Sequence, residues 1–318
     1  MLQLGNDKHM AHLWNKTIEI DIALARKLIE SQFQLSISHI TLLDEGWDNT
    51  VFLVNHECVF RFPHRPFGVS CMENEIAMLP FVAPHISFQA SIPFYTGKAS
   101  ELFPYPFCGY RIIQGKPLCD ATASLVDNPA FAKTLAKWLR ELHCIPVSGL
   151  DNADSSELRW QFNVPHRIKR CYENLTQYEK YFLSAGFSVS SLTDIIEKIC
   201  EFKLHNRKQS ILHGDLYCRH VIVDEHLSPT GLIDFGDIFI GDPGIDLSIV
   251  SVFSEKLFEV FLDSYGDIDR QRLELLLFHS FAHAMSFLSY AYEQQKPSLQ
   301  CWARLELQRS IDEIKKLK

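Results

Sequence analysis

The stretch HGDLYCRH, residues 213–220, sets an Asp two places after one His and five before another. A second carboxylate, Asp234, closes GLIDF downstream. Two carboxylates with a neutral nitrogen donor between them suit phosphoryl transfer. One accepts or orients the proton of an attacking hydroxyl, and the other, with the imidazole, holds Mg²⁺ against nucleotide phosphates. Gly-Asp by itself is common turn chemistry, so the motif means little without the elements that position it. The runs HVIVD and GLIDF flank a turn at His226–Pro229 and read as a β-hairpin. A hairpin brings the start of one strand beside the end of the other, so Asp215, His220 and Asp234 are expected to converge at one end of it.

The elements upstream form a small α+β unit. DIALARKLIESQF, 21–33, reads as a helix capped by Asp21, with Ile22, Ala25, Leu28 and Ile29 on one face. ITLLDEGWDNTVFLV and ECVFRFP are strand-like around a Gly-containing turn, where Gly46 sits. CMENEIAMLPFV reads as a short helix that Pro80 should end. ISFQASIPFYTGK and PFCGYRII supply further strand. After QGKPL, helices dominate. NPAFAKTLAKWLRELH is amphipathic, with Phe131, Leu135, Trp138, Leu139 and Leu142 at helical spacing. The boundary is expected near Gln114–Gly115, dividing 1–113 from 114–318.

A chain of 318 residues suffices for one large domain or two modest ones with a sizeable core. Nine cysteines without a CxxC spacing argue against a zinc ribbon or a disulfide framework and for reduced, mostly buried thiols. Neither a signal-peptide pattern nor a run of about twenty apolar residues is present, so a cytoplasmic protein without membrane association is expected. The richest apolar stretch, Leu273–Tyr290, is interrupted by polar residues and reads as a buried helix. Net charge is −8, and residues 211–318 hold −7 of it, with 10 Asp and 7 Glu against 5 Lys and 5 Arg. Such an acidic half disfavours nucleic acid as a partner and suits a cationic small molecule, or simply keeps the surface solvated.

With HGDLxxxH followed by IDFGD, the sequence resembles the aminoglycoside phosphotransferase family. Those are small-molecule kinases with a two-lobed, protein-kinase-like fold. GWDNTVFLV is similar to the family's nucleotide-covering loop, and CVFRFP to its next strand. MENEIAMLPFVAP resembles its lobe-one helix, YRIIQGKPL its hinge and LAKWLRELHCIP the helix after it. GDPGIDLSIV matches a signature after the metal-binding Asp. The resemblance implies a small sheet-containing N-lobe and a larger, mainly helical C-lobe, with Mg²⁺ and ATP or GTP in the cleft between them. It makes Asp215 the catalytic base, and Asp234 and His220 the metal ligands. Gly46 and Asn49 fall in the phosphate-covering loop. Arg61 is the phosphate-facing cation, with Glu75 as its ion partner and Glu73 as second choice. The backbone of Arg111, Ile112 and Ile113 would hold the nucleotide base.

Two positions depart from the commoner family pattern. His220 stands where most members have Asn, although macrolide phosphotransferases share an HGDLYxxH loop. The imidazole implies metal affinity that falls below about pH 6.5. Arg61 stands where kinases usually have Lys; Arg is always charged and grips phosphate bidentately. These departures also motivate a non-catalytic, pseudokinase-like alternative. The acceptor is expected to be an aminoglycoside or aminocyclitol, with a macrolide, or a choline-like or sugar-like alcohol, as alternatives.

Other residues carry blander readings. His213 is expected to shape its loop through a backbone hydrogen bond. Asp246 should tie its helix to the catalytic loop. Arg219 reads as a surface residue, Asp237 as a turn or substrate-facing residue, and Trp47 as packing. His279 and His283, spaced i, i+4, can in principle bind zinc, but without a third ligand they read as satisfied helix histidines.

Overall fold

The computed structural model describes residues 16–121, 128–148, 161, 163–204, 207 and 210–317. They fall into two compact units. One holds the described residues up to Pro80 together with Ser91–Ile112. The other holds Phe81–Ala90 and the described residues from Ile113 onward.

The first unit starts with α1, Ile22–Gln32, whose first turn is closed by Asp21 accepting a hydrogen bond from the Leu24 N–H at 2.8 Å. Ala25, Leu28 and Ile29 are buried as the periodicity predicts, whereas Ile22 is 43% exposed. It lies in the first turn of the helix. Five antiparallel strands follow: β1 (Ile40–Glu45), β2 (Asn49–Val54), β3 (Cys58–Pro63), β5 (Tyr95–Gly97) and β6 (Phe107–Arg111), in the order β1-β2-β3-β6-β5. The segment expected as one strand-like run is therefore a hairpin, turned at Gly46, whose N–H reaches the Asn49 carbonyl at 3.0 Å. The β2–β3 connection places Asn55 and His56 at φ 52° and 57°, left-handed conformations that Asn adopts more readily than most residues. Phe52, Phe60, Phe62, Phe103 and Phe107 bury a shared aromatic core. Phe62 stacks on Phe107 with ring centroids 4.6 Å apart.

Helix α2 runs Pro66–Val82 and contains Pro80. The expectation that Pro80 ends it fails by two residues: the helix runs on to Val82 and into a 3₁₀ turn at Ala83–His85. The helix also begins earlier than predicted, at Pro66, a residue whose fixed φ suits a first helical position.

In the second unit, β4 (Gln89–Ala90), β7 (Lys116–Pro117), β9 (Val221–Val223) and β10 (Pro229–Leu232) form a sheet ordered β4-β10-β9-β7. Pairing of β4 with β10 explains why the short segment before Ser91 belongs to this unit. The β9–β10 hairpin is antiparallel, with Val221 opposite Leu232. Its turn is stapled by Asp224 Oδ1, which accepts from the His226 and Ser228 N–H groups at 2.8 Å each. A second small ladder joins β8 (Ser210–Leu212) to β11 (Phe239–Gly241). Helix α3, Pro129–His143, is capped by Asn128 and buries all five predicted face residues. Helices α4 (Val164–Gln177), α5 (Glu179–Ser184), α6 (Val189–Ile199), α7 (Glu255–Tyr265), α8 (Arg270–Glu293) and α9 (Pro297–Lys316) complete the unit. The central part of α8 is buried, as its apolar run implies. Among the described residues no helix is long and apolar enough to cross a membrane. All nine cysteines are free thiols, and five of them are buried.

Candidate active site

The loop carrying Asp215 is held from below by Asp246. That carboxylate is fully buried. Its Oδ2 accepts from the His213 N–H at 2.7 Å and its Oδ1 from the Gly214 N–H at 2.9 Å. His143 Nε2, from α3, lies 3.0 Å from the same Oδ2, and its Nδ1 lies 2.9 Å from the Tyr265 hydroxyl on α7. A buried carboxylate is tolerated only when its lone pairs are taken in this way. Asp246 thus does the tying its position in GDPGIDL suggests, and it recruits two helices to do so. Gly214 has φ +88°, and a Cβ there would sit 2.0 Å from the Asp237 carbonyl oxygen, so the turn admits glycine alone.

His213 is buried and its Nε2 donates to the Ile233 carbonyl at 2.9 Å. This is the expected loop-shaping bond, and it joins the catalytic loop to the segment entering Asp234. Burial pushes the imidazole's pKa below its ordinary value, which favours the neutral ring.

His220 decides the chemistry of the site. Its Nδ1 donates to the Asp215 backbone carbonyl at 2.7 Å. A carbonyl can only accept, so the proton is on Nδ1 and Nε2 carries a lone pair. That lone pair faces Asp234 Oδ2 at 3.5 Å, while Asp215 Oδ2 lies 3.8 Å from Nδ1. The hairpin therefore gathers Asp215, His220 and Asp234 as its topology requires. Burial outweighs the pull of Asp234 and drives the His220 pKa down to about 3. The expected titration of this ring near pH 6.5 is therefore moved to lower pH by burial. Asp234 adopts φ +67°, a left-handed conformation that favours glycine and that Asp tolerates better than most residues, and its side chain is 41% exposed.

The donor set fits Mg²⁺. Two acceptors, a carboxylate and an imidazole nitrogen, face one another across a gap with no proton assigned between them. Mg²⁺ is bound through one or two carboxylates, with phosphate oxygens and water completing its shell. Among the described residues no group of three or more His, Cys, Asp or Glu could hold a metal ion, so these residues offer no closed cage of the structural-zinc kind.

In the first unit, Arg61 on β3 meets Glu75 on α2 at 2.7 Å, with side chains 5% and 0% exposed. Glu75 also accepts from the Ser91 hydroxyl at 3.1 Å. Glu73 is exposed, which leaves Glu75 as the partner. Asn49 is buried, and its Oδ1 has no hydrogen-bond partner among the described residues. Trp47, read as packing, is 38% exposed, and its carbonyl lies 2.9 Å from His64 Nε2. Arg111 places its guanidinium 5.3 Å over the Phe94 ring. The Ile112 N–H donates to the Glu57 carbonyl at 2.8 Å and is thereby engaged, and Ile113 is buried.

Around the catalytic loop, Tyr217 packs its ring against His220 (centroids 4.5 Å apart), His283 (4.9 Å) and Phe287 (5.3 Å). His283 Nδ1 is 3.0 Å and 3.2 Å from the two Glu306 carboxylate oxygens, and His279 is bonded to Arg167. Both helix histidines are satisfied, as read. Arg219 is half-buried. Gln161, which belongs to no motif, reaches the Gly214 carbonyl from a sequence position that no spacing rule would single out.

The Phosphotransferase enzyme family matches this chain over residues 39–276, the greater part of its length. Among solved structures, the GDP complex of aminoglycoside 2'-phosphotransferase-IIIa superposes with a TM-score of 0.67 at 22% identity, covering 91% of this chain and 98% of that one. The streptomycin–ATP complex of APH(2")-IIa does so with a TM-score of 0.57 at 18% identity, covering 95% and 98%. Macrolide 2'-phosphotransferase MphH from Brachybacterium faecium gives 0.59 at 18% identity, covering 90% and 97%. At these identities the structural likeness speaks for the fold alone, a kinase-like one with a small antiparallel-sheet unit and a helical unit. The match over residues 39–276 goes further, and on it the chain belongs to the phosphotransferase enzyme family, a small-molecule phosphotransferase by descent as well as by fold.

Proposed function

We propose that this enzyme transfers the γ-phosphate of ATP or GTP to a hydroxyl of a small molecule, with Mg²⁺ as cofactor and an aminoglycoside or aminocyclitol as the foremost acceptor class. The observation that carries the reading is the His220 tautomer: Nδ1 is pinned to the Asp215 backbone and Nε2 is left as a lone pair against Asp234. Asp215 takes up the proton of the attacking hydroxyl as its oxygen bonds to the γ-phosphorus and the nucleoside diphosphate leaves. His220 Nε2 and Asp234 would hold Mg²⁺, which neutralises phosphate charge when bound. Arg61, aligned by Glu75, adds a fixed positive charge for the phosphates, and Gly46 and Asn49 lie in the loop that covers them. The backbone of Arg111 to Ile113 is proposed to flank the base. Here the protein's contribution is position and electrostatics rather than covalent chemistry. A requirement for ATP or GTP argues for a cytoplasmic enzyme, and its acceptor class for a role in antibiotic resistance.

Of the relatives named above, one is a complex with GDP and another with streptomycin and ATP, which supports a nucleotide donor and an aminoglycoside acceptor. The acidic balance of residues 211–318 favours a cationic acceptor. A macrolide is the second reading. It is favoured by the HGDLYxxH loop and by the aromatic surface of Tyr217, His283 and Phe287 beside it.

The test is NTP consumption with Mg²⁺ across aminoglycosides, macrolides and simple alcohols, with ATP and GTP assayed separately. Stimulation by aminoglycosides is expected. Stimulation by macrolides alone would transfer the assignment to the second reading. Nucleotide binding that ignores Mg²⁺, with no turnover, would mark a non-catalytic protein.

A further inference from the structure

Gln161 is fully buried, and the chemistry above gives it no role. Its Nε2 donates to the Gly214 carbonyl at 3.1 Å and to Asp237 Oδ1 at 3.4 Å. Gly214 immediately precedes Asp215, and Asp237 lies just past Asp234. One side-chain amide therefore spans the two loops that carry the catalytic carboxylates. Both of its partners are acceptors, so the NH₂ end must face them and the amide cannot flip. The consequence is visible at the other end, where Gln161 Oε1 is buried without a hydrogen-bond partner among the described residues. An orphaned buried acceptor is destabilising. A glutamine serving only to fill the core would be replaced without loss by an apolar residue of the same length. This one is oriented wholly by the two loops and carries the penalty at its far end.

The amide is also anchored from behind. The Gln161 carbonyl accepts from Arg167 Nη1 at 3.3 Å, and Arg167 Nη2 donates to the His279 carbonyl at 3.3 Å, which fixes it to α4 and α8. At the loops themselves, Gly214 and Asp237 meet backbone to backbone, so a change in their separation shifts Asp215 relative to Asp234.

We infer that Gln161 is a positioning residue for phosphoryl transfer: its amide clamps the Asp215 loop to the Asp234–Asp237 loop and sets the separation of the two carboxylates. The inference rests on the proposed phosphotransferase reaction, because only a reaction using both carboxylates needs that separation held. A displacement of about 1 Å at such a site costs on the order of 10²-fold in rate.

The experiment compares Gln161→Met, equal in length but without hydrogen-bonding groups, with Asn174→Ala. Asn174 is buried and bonds Ser286 at 3.0 Å, away from both loops. For Gln161→Met, kcat is expected to fall about 10- to 100-fold, with KM for nucleotide and acceptor within about twofold of wild type. Its urea midpoint should move no further than that of Asn174→Ala, whose kcat should stay near wild type. Amide exchange should quicken over residues 213–216 and 235–239 in Gln161→Met and stay unchanged over 275–290. Should Gln161→Met fail to fold, Gln161→Glu keeps the shape and sets a carboxylate against Asp237. It should lose at least as much kcat and loosen the same two segments. An unchanged kcat, or a loss equalled by Asn174→Ala, or unaltered exchange in both loops, overturns the inference. If wild type turns over no acceptor at all, the functional reading fails, and the exchange measurement alone then decides whether the clamp exists.

Discussion

At the residue scale, the site depends on one proton's location. His220 is neutral because it is buried, and its Nε2 lone pair is available because Nδ1 is committed to a backbone carbonyl. Replacement by Asn, which also offers a neutral acceptor, is expected to retain activity and to leave the pH–rate profile between pH 5 and 8 unchanged. An acid limb near pH 6.5 in wild type that vanishes on replacement would mean that the wild-type imidazole titrates there after all. Asp215→Ala should lower kcat by about 10² to 10⁴ while nucleotide affinity holds, since it removes a proton acceptor and no phosphate contact. Stopped-flow binding alongside steady-state rates separates the two effects. Asp234→Ala should abolish the Mg²⁺-dependent part of nucleotide binding, measured by calorimetry with and without the metal.

At the element scale, two buried carboxylates link secondary structure to function. Glu75 on α2 and Arg61 on β3 form a pair shielded from water. Removing one partner strands the other charge, which costs about 3–5 kcal/mol. Arg61→Met should therefore destabilise strongly. The double variant Arg61→Met/Glu75→Leu should regain much of that loss in urea melts without regaining nucleotide affinity. Asp246, which holds the His213 and Gly214 amides and His143, shows how a buried acidic residue constrains the turn that carries Asp215. The elements themselves were largely legible. α3 declares its buried face by apolar spacing and its start by Asn128–Pro129, and the β9–β10 hairpin by two short β-branched runs around a turn. The misjudged details were those that local pattern cannot weigh. Helix α2 runs two residues past Pro80, and Ile22 shares the apolar spacing of α1 yet is exposed in its first turn.

For the whole molecule, buried histidines dominate the expected response to acid. His64, His213, His220 and His279 all have pKa values lowered by burial. Unfolded, each takes up a proton near pH 6.5; folded, each resists it. Their stabilising effect is complete above about pH 6.5 and is lost as pH falls below that value, by up to about 1.4 kcal/mol per pH unit for each group. His283 opposes them, since Glu306 raises its pKa despite burial, but it is one group against four. The urea midpoint should thus drop between pH 7.5 and pH 5.5, and a flat profile would contradict the neutral burial of these rings.

The sequence by itself determined the kinds of residue available and their order along the chain: a carboxylate two places past a His, a second ahead of Gly-Asp, a basic residue on a β-branched strand and a Glu on the helix after it. Those are local facts, and they suffice for the α+β architecture, the hairpin and the phosphotransferase resemblance. Which groups are charged, and which partner each finds, was decided by tertiary structure. The tautomer and lowered pKa of His220 follow from burial, and the choice of Glu75 over Glu73 from which face of α2 meets β3. Gln161 reaches Gly214 across 53 positions and Asp237 across 76, separations over which only the folded chain creates proximity.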